Sequence, residues 1–342
     1  VNALVTQLLD GVYIGLAEEV YFGQDDRLGS TDLKTCLRGA ADWWYTSRHN
    51  PDIDPPTRTD ERDFGTALHT LILEGDDAFK ARFRIKPSHY PDATTGELKP
   101  WHGGAKYCIK WAAETPEGME VLPEKWEMRV RHMAQLILHH PQYRQPLREG
   151  LPEVSVLFTL DDQPMRARFD YLLPRFVLDL KTFGGHQRGD GALDKALRIV
   201  AERDYDVQRY IYDRAREAMI DLIRAGQVWG ATTYERDWLE RLAAETDWGW
   251  VWLFYGRRDD RIGRAPTVMP IYRKRFDVTF ETGRTKTIEA LKNYRACVAM
   301  WGFDTPWADI RPMVDPPDHA FPPWLQYAAN DYHDPEPEED AA

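Results

Sequence analysis

The run Met165-Arg-Ala-Arg-Phe-Asp170-Tyr-Leu-Leu-Pro-Arg175-Phe-Val-Leu-Asp179-Leu-Lys-Thr182 decides how this chain is read. Two apolar-rich stretches flank Pro174-Arg175, the pattern of a β-hairpin. Counted outward from that break, Leu173 faces Phe176, Leu172 faces Val177, and Asp170 falls opposite Asp179. Two carboxylates directly across a ladder repel each other, an arrangement a fold tolerates when a cation lies between them. Lys181 shares the face of Asp179, because strand side chains alternate with period two. The hairpin is therefore predicted to present Asp170, Asp179 and Lys181 together, as in a metal-dependent phosphodiesterase. The plainer alternative is a surface hairpin with an Asp–Lys ion pair. Apolar Val177, Leu178 and Leu180 argue instead for an internal strand, where unpaired acids are costly.

Outward from the hairpin, Glu153 to Leu160 reads as the preceding strand, ending at an Asp161-Asp162 turn. Upstream lie helical patterns: Ser30 to about Tyr45, Asp60 to about Leu73 with Phe64, Leu68, Leu71 and Ile72 on one face, and two more near 104–115 and 123–147. Residues 1–22 read as a short helix and turn, and 86–105 as a loop. Downstream come a glycine-rich loop (184–191), helices from about Ala192 and over Tyr205 to Ala225, strands Trp248 to Tyr255 and Thr267 to Tyr272, and a last helix within Phe280 to Trp301. This order implies an α/β (α+β) fold with a mixed central β-sheet flanked by helices and an N-terminal helical wrap.

Net charge is −12 over 342 residues. That weighs against a surface coated in nucleic acid, because phosphate binding runs on Lys and Arg. Six of the acids, from Asp331 to Asp340, lie in a Pro-Glu stretch that reads as a disordered tail over 326–342, and without them the balance moves from −12 to −6. A basic channel on an acidic body remains compatible with this. The 3 cysteines, Cys36, Cys108 and Cys297, have no metal-ligand spacing. With no bilayer-spanning run, they fit a cytoplasmic location and no membrane partner. The expected organisation is one domain over 1–325: a helical part to 150, a core over 151–300 and an extension over 301–325.

Around the hairpin, further residues carry candidate chemistry. Carboxylate oxygens suit Mg²⁺ (or Mn²⁺), and such an ion lowers the pKa of bound water and offsets charge growing on a reacting phosphate. Lys181 could orient or deprotonate that water. Glu153 is either a further acid of the site or a solvent-facing strand end. His69 lies one helical turn after Gly65, so the two share a face. Gln208 and Tyr212 share another, spaced by four. Arg166 and Arg168, on the face of Asp170, are candidates for phosphate contact or for screening the carboxylates.

Gly65-Thr-Ala-Leu-His69, Glu153, Arg168-Phe-Asp170, Asp179-Leu-Lys181-Thr and Gln208-x-x-x-Tyr212, in this order over roughly residues 28–300, resemble the PD-(D/E)xK nuclease superfamily. The chain is most similar to its exonuclease VIII type, related to the RecB nuclease domain and lambda exonuclease. Phe169 stands where the motif's proline would precede Asp170. The resemblance implies a restriction-endonuclease-like core. It implies a metal held by His69, Asp170, Asp179 and the Leu180 carbonyl, Lys181 serving the nucleophilic water, and Glu153, Gln208 and Tyr212 in support. The implied activity is a Mg²⁺-dependent exonuclease acting on double-stranded DNA ends, 5′ to 3′, in phage-type recombination. A ring-shaped homo-oligomer and a single-strand annealing protein as partner are implied with it. The rival readings are an endonuclease or single-strand-specific enzyme of the same fold, and a non-catalytic module that binds DNA or protein.

Overall fold

A seven-stranded mixed sheet is the centre of the computed structural model, which describes residues 7–53, 60–183, 190–256, 267–310 and 313–324. Its strands are β1 (Gly11–Tyr13), β2 (Leu151–Leu160), β3 (Gln163–Leu173), β4 (Phe176–Phe183), β5 (Val228–Trp229), β6 (Gly249–Gly256) and β7 (Thr267–Arg273), in the spatial order β7-β6-β4-β3-β2-β1-β5. The consecutive strands β2, β3 and β4 pair antiparallel, while β4 and β6 pair in parallel. The expected hairpin is present, with Leu173↔Phe176, Leu172↔Val177 and Tyr171↔Leu178 in register.

Helices cover both faces, the α/β architecture that the element order implies. On one face α1 (Ser30–Gly39), α4 (Tyr205–Arg224) and α6 (Val278–Trp301) bury Leu33, Ile211 and Leu291 against Val156, Phe158 and Phe169 of the sheet. On the other, α2 (Asp60–His69) and α3 (Glu124–Leu138) bury Leu68 and Met133 against Tyr171, Leu178 and Leu180. Each such side chain contributes about 1.5–3 kcal/mol of transfer free energy. Helices α4 and α6 approach closely at Gly283, where an added Cβ would stand 2.1 Å from the Asp206 carbonyl oxygen.

Several elements differ from expectation. The Ser30–Tyr45 helix is two, α1 and Asp42–Thr46. Residues 86–105 contain a small hairpin, His89–Pro91 with Leu98–Pro100. The N-terminal segment supplies β1 to the sheet before a short helix, Glu18–Phe22. Helix α5 (Thr233–Ala244), opened by a Thr232/Glu235 capping box, is an addition. The first unit runs Val1–Trp307 and a second Ala308–Ala342, so the division falls inside the expected 301–325 extension. Of the glycine-rich loop expected over 184–191, residues 190 and 191 open the helix Asp190–Glu202 and the rest lies outside the described residues, as does the acidic tail 326–342.

The feature that positions the site is a slip in strand alternation. Val154, Val156 and Phe158 enter the first core, and so does Leu151, which has the opposite parity. In β3, Ala167 and Phe169 enter the first core while Tyr171 and Leu173 enter the second. Both slips fall at one place, where Glu153 adopts the left-handed φ of 51°, uncommon for a residue with a Cβ. A one-residue slip reverses the facing of all that follows. It lets β3 feed both cores, while Leu151, Val154, Val156 and Phe158 of β2 all enter the first, and it opens the ladder at Glu153 and Asp170.

Candidate active site at the opened ladder

The opening gathers acids from three neighbouring strands. Between the pairs Pro152↔Tyr171 and Val154↔Phe169, Glu153 stands opposite Asp170. The register that ends at Tyr171↔Leu178 carries Asp170 on to Asp179. Glu153, Asp170 and Asp179 thus form one row across β2, β3 and β4.

The two aspartates do not meet as a simple cross-strand pair, because the slip turns them to different partners. Asp170 Oδ2 accepts the Leu180 amide at 2.8 Å and lies 3.8 Å from His69 Nδ1. Asp179, 1% exposed, is held from the opposite face: Lys181 Nζ donates to its Oδ1 at 2.8 Å, and so does Gln208 Nε2 at 2.8 Å from α4. Its Oδ2 is 2.7 Å from Lys181 Nζ but off the hydrogen-bonding direction, and has no hydrogen bond among the described residues. His69 ends α2 where the helix widens into a π-helical turn, Thr70–Glu74, and its Nε2 lies 3.2 Å from the Leu180 carbonyl oxygen. A Cβ on Gly65 would meet only Thr182 Cγ2, at 4.0 Å, so close sheet approach does not require glycine there.

The electrostatics follow from crowding like charges in a dry place. Burial, then the neighbouring Asp170, pushes the Glu153 carboxyl up to about 8. Burial raises Asp179 to about 6, against the pull of Lys181 and with the push of Asp170. Burial also raises Asp170, opposed by Lys181 and the Leu180 amide. Burial and the Lys181 charge push His69 down to about 4, so its ring is neutral at pH 7. Burial alone would lower Lys181, but Asp179 and Asp170 outweigh it and hold the ammonium above its ordinary value. With Nε2–H directed at the Leu180 carbonyl, the His69 Nδ1 lone pair faces an Asp170 oxygen.

A cavity of about 560 Å³ opens beside the row, its walls including His69, Glu153, Arg168, Glu74, Arg82 and Phe22. Arg168 donates to Ser155 Oγ at 2.9 Å and to the Leu16 carbonyl at 2.7 Å, and its guanidinium lies 4.3 Å from the Tyr21 ring centroid. Arg166 is committed to the Asp32 carboxylate at 3.2 Å and to the carbonyls of Phe22 and Gln24. Tyr212 packs its ring against Phe169 and Trp250, away from the cavity walls. The fold therefore brings together His69, Glu153, Asp170, Asp179, Leu180, Lys181 and Gln208. It places Tyr212 in the supporting core and ties Arg166 to the N-terminal segment.

Two residues that sequence reasoning passed over stand beside the row. Tyr255, on β6, has a buried hydroxyl without a hydrogen bond among the described residues, and feels the charges of Asp170 and Asp179. Lys34, on α1, shares the Tyr205 ring with Lys181. Neither carries a local motif; tertiary contact alone brings them here.

Among the described residues, no group of three or more His, Cys, Asp or Glu side chains stands close enough to hold a metal ion. The donor chemistry nevertheless suits a hard cation: an Asp179 oxygen without a hydrogen bond, a neutral imidazole facing a carboxylate, and acids in a row. A comparison with protein-family models gives no match, and a search of curated proteins gives none either. What stands is a mixed β-sheet flanked by helices, and no helix among the described residues is long and apolar enough to cross a membrane.

Proposed function

We propose that the chain is a divalent-cation-dependent deoxyribonuclease of the PD-(D/E)xK kind, acting on the ends of linear double-stranded DNA. The observation that carries this reading is the row Glu153, Asp170 and Asp179, with Lys181 bonded to its buried end. A row of like charges costs stability unless a cation joins it, and its outer end opens on a cavity wide enough for a backbone phosphate.

In this reading Asp170, Asp179 and the Leu180 carbonyl hold the cation, with His69 Nδ1 beside Asp170. Bound there, Mg²⁺ or Mn²⁺ would offset the negative charge that grows on the phosphate during hydrolysis. Lys181 is held cationic by its carboxylates, so it orients the attacking water by donating a hydrogen bond and does not remove that water's proton. Gln208 fixes the Asp179 carboxylate through Oδ1, while Oδ2, 2.7 Å from Lys181 Nζ, makes no hydrogen bond among the described residues. Burial and the neighbouring Asp170 raise the Glu153 carboxyl to about 8, and a cation held beside it would favour its ionised form. A 5′ to 3′ direction, a homo-oligomeric ring and an annealing partner are extensions by resemblance.

Digestion of labelled linear and closed-circular duplex with Mg²⁺, and with EDTA as control, tests the proposal. Loss of linear DNA only, abolished by EDTA and by Asp179→Ala, is the expected result. Cleavage of closed circles would replace the exonuclease by an endonuclease. Absence of any metal-dependent cleavage would favour a non-catalytic module.

A further inference from the structure

Lys34 is a half-buried ammonium whose surroundings leave it without an anion. It projects from α1, which packs against α6 and α4, and its Nζ lies 4.9 Å from the centroid of the Tyr205 ring. The Lys181 ammonium lies 4.9 Å from the same centroid. The two carboxylates whose charge reaches Lys34 are committed to other donors. Asp179 accepts from Lys181 and Gln208, and Asp204 accepts from Arg38 at 3.0 Å and Lys286 at 2.9 Å. Among the described residues Lys34 makes no ion pair.

Two ammoniums gathered on one aromatic ring repel each other, and a cation–π contact returns only about 0.5–2 kcal/mol. Burial and the Lys181 charge accordingly push Lys34 down to about 8. An arrangement that is costly in the protein alone becomes favourable when an anion enters between the charges. The anion that a site with Lys181 and a carboxylate row would receive is a phosphodiester.

We propose that Lys34 is a phosphate-contacting cation of this site, held beside the water-orienting Lys181 by the ring of Tyr205 and directed at a backbone phosphate of the bound DNA strand. The proposal rests on the nuclease reading and adds to it a substrate contact supplied by α1, outside the hairpin. It also assigns Tyr205 as a positioning residue for both ammoniums.

The test uses the full chain with Lys34→Met and Lys34→Arg. Binding of a fluorescent linear duplex is followed by anisotropy with Ca²⁺ between 50 and 200 mM salt, and cleavage with Mg²⁺ is followed separately. K34M should lower kcat/KM about tenfold, the size of one charge-assisted contact. It should also reduce the slope of log affinity against log salt by about 0.9, one phosphate contact fewer. K34R should restore the salt slope, which a merely structural role would not do. Lys34→Gln, read in the same way, serves if K34M does not fold. A wild-type chain that cleaves DNA, with K34M matching it in rate and salt slope, overturns this inference alone. A wild-type chain that neither binds nor cleaves DNA overturns the nuclease reading and this inference with it.

Discussion

Gln208 and Arg209 are neighbours on α4, yet they serve two buried charge clusters of opposite character. Arg209, 1% exposed, is bonded to the Asp277 carboxylate, to Thr279 Oγ1 and to the Lys274 carbonyl. Asp277 also binds Arg273 and caps α6, accepting from the amides of Thr279 and Phe280. That cluster joins opposite charges and closes a helix end. The cluster around Gln208 sets three acids in a row against one bonded lysine, and leaves an Asp179 oxygen without a hydrogen bond among the described residues. The first arrangement stabilises the fold as it stands. The second crowds like charges around a single ammonium, and this difference is what the proposed cation site rests on.

Substitutions should separate the two. Asp170→Asn keeps an acceptor for the Leu180 amide while removing one charge from the row. Metal-dependent cleavage should fall about 10³-fold, a large electrostatic contribution to catalysis, while the melting temperature stays level or rises. A fall in both would mean that the row is structural. Arg209→Met should do the reverse, lowering stability by about 3–5 kcal/mol through an unpaired buried carboxylate. Chemical denaturation measures it, and the surviving folded fraction should cleave at the wild-type rate. Gly283→Ala places a methyl against the Asp206 carbonyl at the start of α4. A loss of about 1–3 kcal/mol is expected from this overpacking, with some loss of activity because the shifted turn carries Gln208.

A further effect is one of pH. The carboxyls of Asp179 and Glu153 are raised to about 6 and about 8, whereas the unfolded chain ionises both near 4. Between those values the unfolded state binds fewer protons than the folded one. The contribution of these groups to stability is therefore complete below pH 4 and declines as the pH rises towards 8. Glu153→Gln should flatten the part of the decline between pH 6 and 8 in urea titrations run with EDTA. An unchanged slope would show that Glu153 is solvated.

The hairpin was legible because Pro174-Arg175 breaks two apolar runs whose pairing then follows by counting, and β6 and the helix over Tyr205–Arg224 were legible from length and pattern. The opened ladder was not. It depends on a left-handed φ at Glu153, and glutamate carries no sequence signal for that conformation as glycine or asparagine would. Strict alternation therefore set Asp170 facing Asp179, where the structure turns Asp170 to the Leu180 amide. Strands β1 and β5, three and two residues long, are too short for any period to show. Helix α5 is different: Thr232-x-x-Glu235 is a readable capping box. Arg166 and Arg168 were placed on the right strand, but their engagement with Asp32, Ser155 and the carbonyls of the N-terminal segment comes from contacts far apart in sequence.

The central claim is that the acid row is a cation site. Calorimetric titration of the wild-type chain and of Asp170→Asn with Mn²⁺ at pH 7.5 addresses it directly. The account predicts saturable binding and a raised melting temperature for the wild type, both lost in D170N while its fold persists. Equal binding by the two proteins, or none by the wild type, would contradict it.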